Sequence, residues 1–348
     1  MSTTPAPRRL RIAVFGAGSI GCHLGGVLAS TAEVTLIGRP AAMAAIHADG
    51  LTLTGPGEAR REVRELTAAA DPKAAAGADY VLVTVKSADT ATAARELAPH
   101  LGPGTVVVSF QNGLRNADAL TAALPGHRVL AGMVPYNVVR TGAAAFHQGS
   151  GGSLMLAEGE GAEALADAAR ASGLLLELRS DMPAVQAAKL LMNLNNAVNA
   201  LSGLPLREQV GQLAYRQCVA LCQREALAAF QAAGVAPAQL GPVPPEVMPQ
   251  VLELSDEQFH ELAGASLQID ATARSSMWED LQRARPTEID SLQGEAVALA
   301  ERHGLTAPAN ARLITLVREA EAAAAGTTPA CAPAWTGPAL LAELTADR

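Results

Sequence analysis

Aromatic residues are scarce in this 348-residue chain, which holds five Phe, three Tyr and two Trp. Its apolar 49% must therefore come mainly from Ala, Leu and Val, a mixture suited to buried parallel strands covered by Ala-rich helices. A basic excess is also missing. The formal net charge is −8 and the pI is near 5.4, which argues against a nucleic-acid surface while leaving room for anions held by a few cations or a helix N-terminus. Of four cysteines, Cys22, Cys218, Cys222 and Cys331, none forms a Cys-x-x-Cys pair, so they read as small core residues in a reducing cytosol. Seven histidines (His23, His47, His100, His127, His147, His260, His303) show no metal-ligand spacing. No apolar run reaches the ~18 residues of a membrane span, and Met1 to Arg9 lacks the apolar core of a signal peptide. The expectation is a cytoplasmic, metal-free globular protein of two domains, with neither nucleic-acid nor membrane partner.

What is present begins with a β-rich run, Leu10 to Phe15, followed at once by Gly16-Ala17-Gly18-Ser19-Ile20-Gly21. A helix from Ile20 to Ser30 and a second strand, Val34 to Ile37, complete the unit expected of a dinucleotide site. Gly16 permits the tight turn, Gly18 lets backbone approach a pyrophosphate, and Gly21 lets helix and strand pack closely. Amides of the helix's first turn receive the phosphates. The second strand ends in Gly38-Arg39, with no acid from Val34 to His47. An NAD site places a carboxylate there for the ribose hydroxyl. Arg39 instead offers a planar fork to a 2′-phosphate, so the cofactor reads as NADP(H).

Further strands follow at Tyr80 to Val85 and Thr105 to Phe110, with a helix from Asp89 to Leu97 between them. Leu51 to Thr54 and Glu62 to Leu66, separated by Gly55-Pro56-Gly57, read as an inserted hairpin. Ligands of open α/β sheets lie at the carboxyl ends of strands, which places Lys86, Gln111 and Asn112 toward cofactor or substrate.

From about Asp181 the strand pattern stops and helical periods take over. Within Lys189 to Asn199, Lys189, Asn193 and Asn196 fall in a stripe about 60° wide on one helix. Leu190, Leu191, Leu194, Val198 and Leu201 occupy a separate apolar face. Each Asn costs a helix about half a kcal/mol against Ala, so four of them imply that something selects amides. An amide-lined cleft beside one lysine suits a polar, anionic substrate. Farther on, Ser276 with Glu279 fits a capping box, and a capped start also offers amides to a carboxylate. Thr287 reads as the cap of another helix, with Glu288 placed to complement its dipole.

These residues together resemble the ketopantoate reductase (ApbA/PanE) family from about Leu10 to Val317. The anchors are Gly16 to Gly21, Val85-Lys86, Gln111-Asn112-Gly113, Lys189 to Asn193 and Ser275 to Asp290. The resemblance implies an α/β Rossmann-type domain over 10–180 and an all-α domain over 181–325, of the 6-phosphogluconate-dehydrogenase-like C-terminal kind, with tails at 1–9 and 326–348. It further implies reduction of 2-dehydropantoate to (R)-pantoate with NADPH, on the route to pantothenate and coenzyme A. In that scheme Lys189 is the general acid at the keto oxygen and Glu288 holds the substrate hydroxyl. Asn112, Asn193, Asn196 and Ser276 contact substrate. Gly16, Ala17, Gly18, Ser19, Ile20, Gly21, Arg39, Lys86, Asn112 and Glu288 serve the cofactor. A homodimer through the helical half also rests on the resemblance alone. One departure stands out: well-known members carry a second Asn four residues after the position of Asn193, where this chain has Ala197. Two other readings stay open, a reductase of another 2-oxo acid or an imine, and a non-catalytic NADP(H)-binding sensor.

Overall fold

The computed structural model describes residues 8–55, 59–263, 273–325 and 334–346. The chain divides into two compact units. One comprises the residues up to Gln111 and Arg115–Met182; the other comprises Asn112–Leu114 and the residues from Pro183 onward.

The first unit starts with β1 (Arg11–Phe15), α1 (Ser19–Leu28), β2 (Glu33–Ile37) and α2 (Pro40–Asp49). It continues through β3 (Leu51–Thr54), β4 (Arg61–Val63), β5 (Thr67–Ala69), β6 (Tyr80–Val83), α3 (Thr90–Leu97), β7 (Val106–Ser109) and α4 (Asn116–Ala123). Then come β8 (Arg128–Met133), β9 (Val138–Arg140), β10 (Ala145–Gln148), β11 (Leu154–Ala157), α5 (Ala162–Ser172) and β12 (Leu176–Arg179). Eight strands form one sheet in the order β12-β11-β8-β7-β6-β1-β2-β5, parallel except where β11 meets β8. Neighbours of β1 lie on both sides, β2 and β6, so the order reverses at β1 and its carboxyl end opens on the switch point where such sheets bind ligands. Successive strand side chains face opposite ways. Accordingly Ile12 and Val14 enter one apolar cluster, and Ala13 and Phe15 enter another. Burial on both faces explains why these strands read as unbroken apolar runs.

The expected hairpin is present as the antiparallel pair β3–β4, although Pro56 and Gly57 of its turn lie outside the described residues. It belongs to a second sheet, β4-β3-β10-β9, in which β10 runs parallel to β3. Behind the glycine motif, His23 is buried on α1 and meets the Tyr136 ring edge-on at 5.4 Å. Burial lowers its pKa to about 4, which keeps the ring neutral at physiological pH.

The second unit is helical among the described residues: α6 (Met182–Asn193), α7 (Asn195–Ser202), α8 (Leu206–Val210), α9 (Leu213–Ala232), α10 (Met248–Leu252), α11 (Asp256–Ala263), α12 (Ser276–Gln282), α13 (Ile289–Arg302), α14 (Pro308–Ala325) and α15 (Gly337–Thr345). Leu190, Leu191, Leu194, Val198 and Leu201 all enter its core, as their spacing predicts. Cys218 and Cys222 are buried there as free thiols, and Cys22 is likewise buried in the first unit; Cys331 lies outside the described residues. The stretch expected as a C-terminal tail contains α15, whose Leu340 and Leu344 are buried in this core. Two apolar residues four apart on a short helix carry too little pattern to distinguish it from a tail. Among the described residues no helix is long and apolar enough to cross a membrane, and no cluster of His, Cys, Asp and Glu could hold a metal.

Candidate active site and cofactor cradle

In the first unit the glycine motif forms the turn between β1 and α1. Gly16 has φ +101°, and a Cβ there would stand 2.6 Å from the Val85 nitrogen, so only glycine fits. At Gly21 a Cβ would meet Thr84 Oγ1 at 2.5 Å and the Gly16 carbonyl oxygen at 2.6 Å. This is the close helix–strand packing read from the sequence. Gly18 is different: it is exposed, and a Cβ there would find nothing nearer than 3.8 Å. The chain's own packing therefore leaves the space above Gly18 open for a ligand. Gly16 and Ala17 donate their amides to the Ile37 carbonyl, both at 3.0 Å, and the first bond of α1 runs from Cys22 N to Gly18 O at 2.9 Å. The preceding amides of Ser19, Ile20 and Gly21 belong to the first turn, where no intrahelical acceptor exists. They supply the positive end of the helix dipole to an anion. Arg39 caps α2 from an extended conformation, is exposed, and makes no ion pair with the described residues. These residues fit a dinucleotide.

Lys86 follows β6, is partly buried, and stands at the head of the short turn leading into α3. Gln111 departs from expectation. Its amide donates to Val85 O at 3.1 Å and Thr90 Oγ1 at 2.8 Å, while its Oε1 accepts from Ser109 Oγ. Thr90 in turn donates to Asn116, whose Nδ2 reaches Ser87. Gln111 thus anchors a buried polar network that shapes the ends of β6 and β7, rather than presenting its amide to a ligand.

The second unit gathers the other candidates. Asn112 Nδ2 donates to Glu288 Oε2 at 3.0 Å, and Asn193 Nδ2 donates to Asn112 Oδ1 at 3.2 Å. A carboxylate accepts only, so Glu288 fixes which end of the Asn112 amide faces it, and that orientation leaves Oδ1 for Asn193. Lys189 lies one helical turn before Asn193 on α6, partly buried. Desolvation lowers its ammonium pKa from 10.5 to about 8, because burial penalises the charged form.

Three expectations need correction. The Lys189–Asn199 segment is not one helix: α6 stops at Asn193, Leu194 intervenes, and α7 starts at Asn195. The break is one residue long, and Leu194 itself keeps helical dihedrals, φ −60° and ψ −21°. Asn196 is partly buried, and its side-chain amide makes no hydrogen bond to the described residues. Asn199 is fully buried and structural, donating to Leu204 O and accepting from Ser275 N at 2.9 Å. Secondly, the cap of α12 is Ser275, not Ser276. The Ser275 hydroxyl accepts from Trp278 N, and its own amide is taken by Asn199, which pins it at the helix start. Ser276 is released from capping and is exposed as the first helical residue. Thirdly, the N-cap of α13 is Glu288, not Thr287; the Thr287 hydroxyl, one position before it, accepts from Ile289 N at 3.2 Å.

Sequence reasoning missed two buried glutamines, Gln223 and Gln293, which donate to the carbonyls of Leu191 and Leu194, and the fully buried Arg216. Arg216 donates to the carbonyls of Val210, Leu252 and Leu254 and lies over the Phe259 ring. Their partners are carbonyls on other elements, which no local spacing reveals.

A family model described as Ketopantoate reductase PanE/ApbA matches residues 12–161, and that of the same family's C terminal matches residues 181–321. The 2-dehydropantoate 2-reductase of Halobacterium salinarum is 30% identical over 320 residues, spanning 90% of this chain and 99% of the relative. This chain belongs to the ketopantoate reductase family. A relative of the same description from Mesorhizobium japonicum is 28% identical, covering 89% of this chain and 97% of its own. The crystal structure of a PanE/ApbA family ketopantoate reductase from Ralstonia eutropha JMP134 superposes with a TM-score of 0.78 at 31% identity, over 90% of this chain and 99% of that one. The fold extends further. A ternary structure of D-mandelate dehydrogenase with NADH and anilino(oxo)acetate has a TM-score of 0.77 at 21% identity, over 90% and 99% of the two chains.

Proposed function

We propose that this protein is an NADPH-dependent 2-dehydropantoate 2-reductase. The observation that carries the reading is the Asn193–Asn112–Glu288 relay, with the desolvated Lys189 one turn from its first member. A lysine whose pKa is brought down to about 8 is charged at neutral pH yet able to give up its proton. Full-length relatives described as 2-dehydropantoate 2-reductase support the substrate.

When bound, a nicotinamide cofactor would supply the hydride that reduces the 2-keto group. The Lys189 ammonium stabilises the negative charge that develops on the keto oxygen and then donates a proton to it. A carboxylate offers about four lone-pair sites, so Glu288 can accept from the substrate's terminal hydroxyl as well as from Asn112. Asn196 and Ser276, whose polar ends are not consumed by the fold, are available to orient the substrate carboxylate. On the first unit Gly16 to Gly21 would cradle the pyrophosphate. Arg39 would pair with a 2′-phosphate, favouring NADPH, and Lys86 would add a cation for the cofactor.

The test is NADPH oxidation with 2-dehydropantoate and with the analogue carrying hydrogen in place of the terminal hydroxyl. A site built to bond a hydroxyl rejects the analogue lacking it by factors that reach about 10⁴ to 10⁵ in closed sites. We expect a preference in kcat/KM of at least about 100-fold, or ~2.7 kcal/mol. Equal turnover of the two would refute the pantoate assignment.

A further inference from the structure

Lys189 and Glu288 can act on one small substrate only if their separation is fixed, yet they stand on different helices. Leu194 is the single residue between the end of α6, which carries Lys189, and the start of α7, and its own dihedrals are helical, φ −60° and ψ −21°. Helix ends leave carbonyls without guaranteed intrahelical partners. Here a carbonyl in the last turn of α6, that of Leu191, and the carbonyl of Leu194, the N-cap residue of α7, both accept from glutamines on other helices. Gln223 of α9 donates Nε2 to Leu191 O at 3.1 Å, and Gln293 of α13 donates Nε2 to Leu194 O at 2.8 Å. Gln293 is 0% exposed and Gln223 6%. A third carbonyl at the joint, that of Asn196, accepts from the Ser275 hydroxyl at 3.2 Å.

In neither glutamine does Oε1 find a partner among the described residues. An amide buried with half its capacity unused carries a free-energy cost that Leu or Met would avoid. What the side chain returns is the bond to the carbonyl. Gln293 also stands five residues after Glu288, on the helix that Glu288 begins. One helix therefore bears the carboxylate at its start and, little more than a turn later, grips the joint just beyond Lys189.

We propose that Gln293 is a positioning residue: by holding the Leu194 carbonyl it sets the spacing of Lys189 and Glu288, with Gln223 bracing the joint from α9. The roles of Lys189 and Glu288 rest on the proposed function; the grip on the joint does not. Without the grip, α6 can shift on the core. Lys189 then becomes better hydrated, and the carboxylate no longer reads the hydroxyl at the right distance.

Gln293→Met keeps the length and removes the donor. Two measurements follow on the full chain. The first is the titration of Lys189 by ¹³Cε-lysine NMR, which is tractable because the chain has only three lysines, Lys73, Lys86 and Lys189. The second is the kcat/KM ratio for 2-dehydropantoate over the analogue lacking its hydroxyl. We expect the Lys189 midpoint to rise from about 8 toward 10.5 by at least about half a pH unit, and the ratio to fall at least about threefold. The control is Leu313→Ala, a fully buried position in the same core. It lowers the thermal midpoint but leaves both readouts at wild-type values. If Gln293→Met titrates and selects as wild type does, or if Leu313→Ala moves both readouts equally far, the proposal is overturned. Should Gln293→Met not fold, Gln223→Met takes its place, with the same shifts expected and the same wild-type behaviour overturning the proposal. If the wild type fails to reduce 2-dehydropantoate at all, the proposed function falls, while the Lys189 titration still decides the role of the joint.

Discussion

Replacing Lys189 by methionine should make the protein more stable and inactive at once. The ammonium's fall from 10.5 to about 8 corresponds to about 3 kcal/mol at ~1.4 kcal/mol per pH unit. That is the amount by which the folded environment disfavours the charged form relative to the unfolded chain. A thioether of similar length carries no such penalty, so Lys189→Met should raise unfolding stability by about 1–3 kcal/mol at pH 7, with hydration of the partly buried amine accounting for the lower end. The pH dependence has a definite sign. Between about 8 and 10.5 the unfolded state holds more protons at this site than the folded state, so the wild type gains stability as pH rises through that window. Its deficit against Lys189→Met is therefore complete below pH 8 and shrinks toward pH 10.5. Urea unfolding of both proteins at pH 7 and pH 10.5 measures the deficit directly. In parallel, reductive kcat/KM of the wild type should decline as pH rises through about 8, and Lys189→Met should lose about 10² to 10⁴ in kcat at pH 7. A methionine variant less stable than wild type at pH 7, or a deficit independent of pH, would refute the desolvated-acid argument.

Gly18→Ala should leave the thermal midpoint nearly unchanged, because its Cβ meets nothing within 3.8 Å, but weaken NADPH binding at least tenfold, about 1.4 kcal/mol, by titration calorimetry. Gly16→Ala should instead destabilise the fold by more than about 2 kcal/mol, since its Cβ would stand 2.6 Å from Val85 N at a positive φ. Arg39→Asp should collapse or reverse a preference for NADPH over NADH that we expect to be at least about tenfold in the wild type; equal use of both cofactors by the wild type would remove the 2′-phosphate role. Ala284 closes α12 with φ +48°, while Arg285 N bonds Asp280 O and Ala284 N bonds Leu281 O, a geometry that favours glycine. Ala284→Gly should therefore stabilise the protein by about 0.5–1 kcal/mol in thermal or urea unfolding.

The dinucleotide half was legible where residues specify local backbone. The glycine at φ +101°, the apolar runs of β1, β6 and β7, and the acid-free end of β2 are local signals, and the structure places each in the element expected. The remaining strands were harder to read. β5 is Thr-Ala-Ala, and β9 and β10 are three and four residues long with mixed polarity. Such segments become strands because a neighbour's edge is available, not because of their own pattern. In the helical half, the apolar face and the Lys189–Asn193 pair could be read, but the break at Leu194 could not. Leu194 is a good helix former with helical dihedrals, and no Gly or Pro marks the site. Its carbonyl is captured from α13, a tertiary event. The serine cap fell one residue away from the expected position because Ser275 and Ser276 both suit a helix start. Only the bond from Ser275 N to Asn199, 76 residues distant in sequence, separates them. Likewise Glu288 finds its donor 176 positions away.

That last distance constrains how the protein can be taken apart or recombined. Asn112–Leu114 is counted with the helical unit although the residues before and after it belong to the sheet unit. The two units are therefore not two consecutive lengths of chain. A fragment starting at Pro183 would carry Glu288 and Asn193 but lack the amide that links them. A chimera made by exchanging everything up to Met182 would import whatever residue the donor protein carries after its equivalent of β7. Exchange of the sheet-bearing unit between relatives thus transfers one member of the Asn193–Asn112–Glu288 hydrogen-bond relay along with it, and on the proposed function such a swap is expected to alter substrate selection unless that position is an asparagine in both parents.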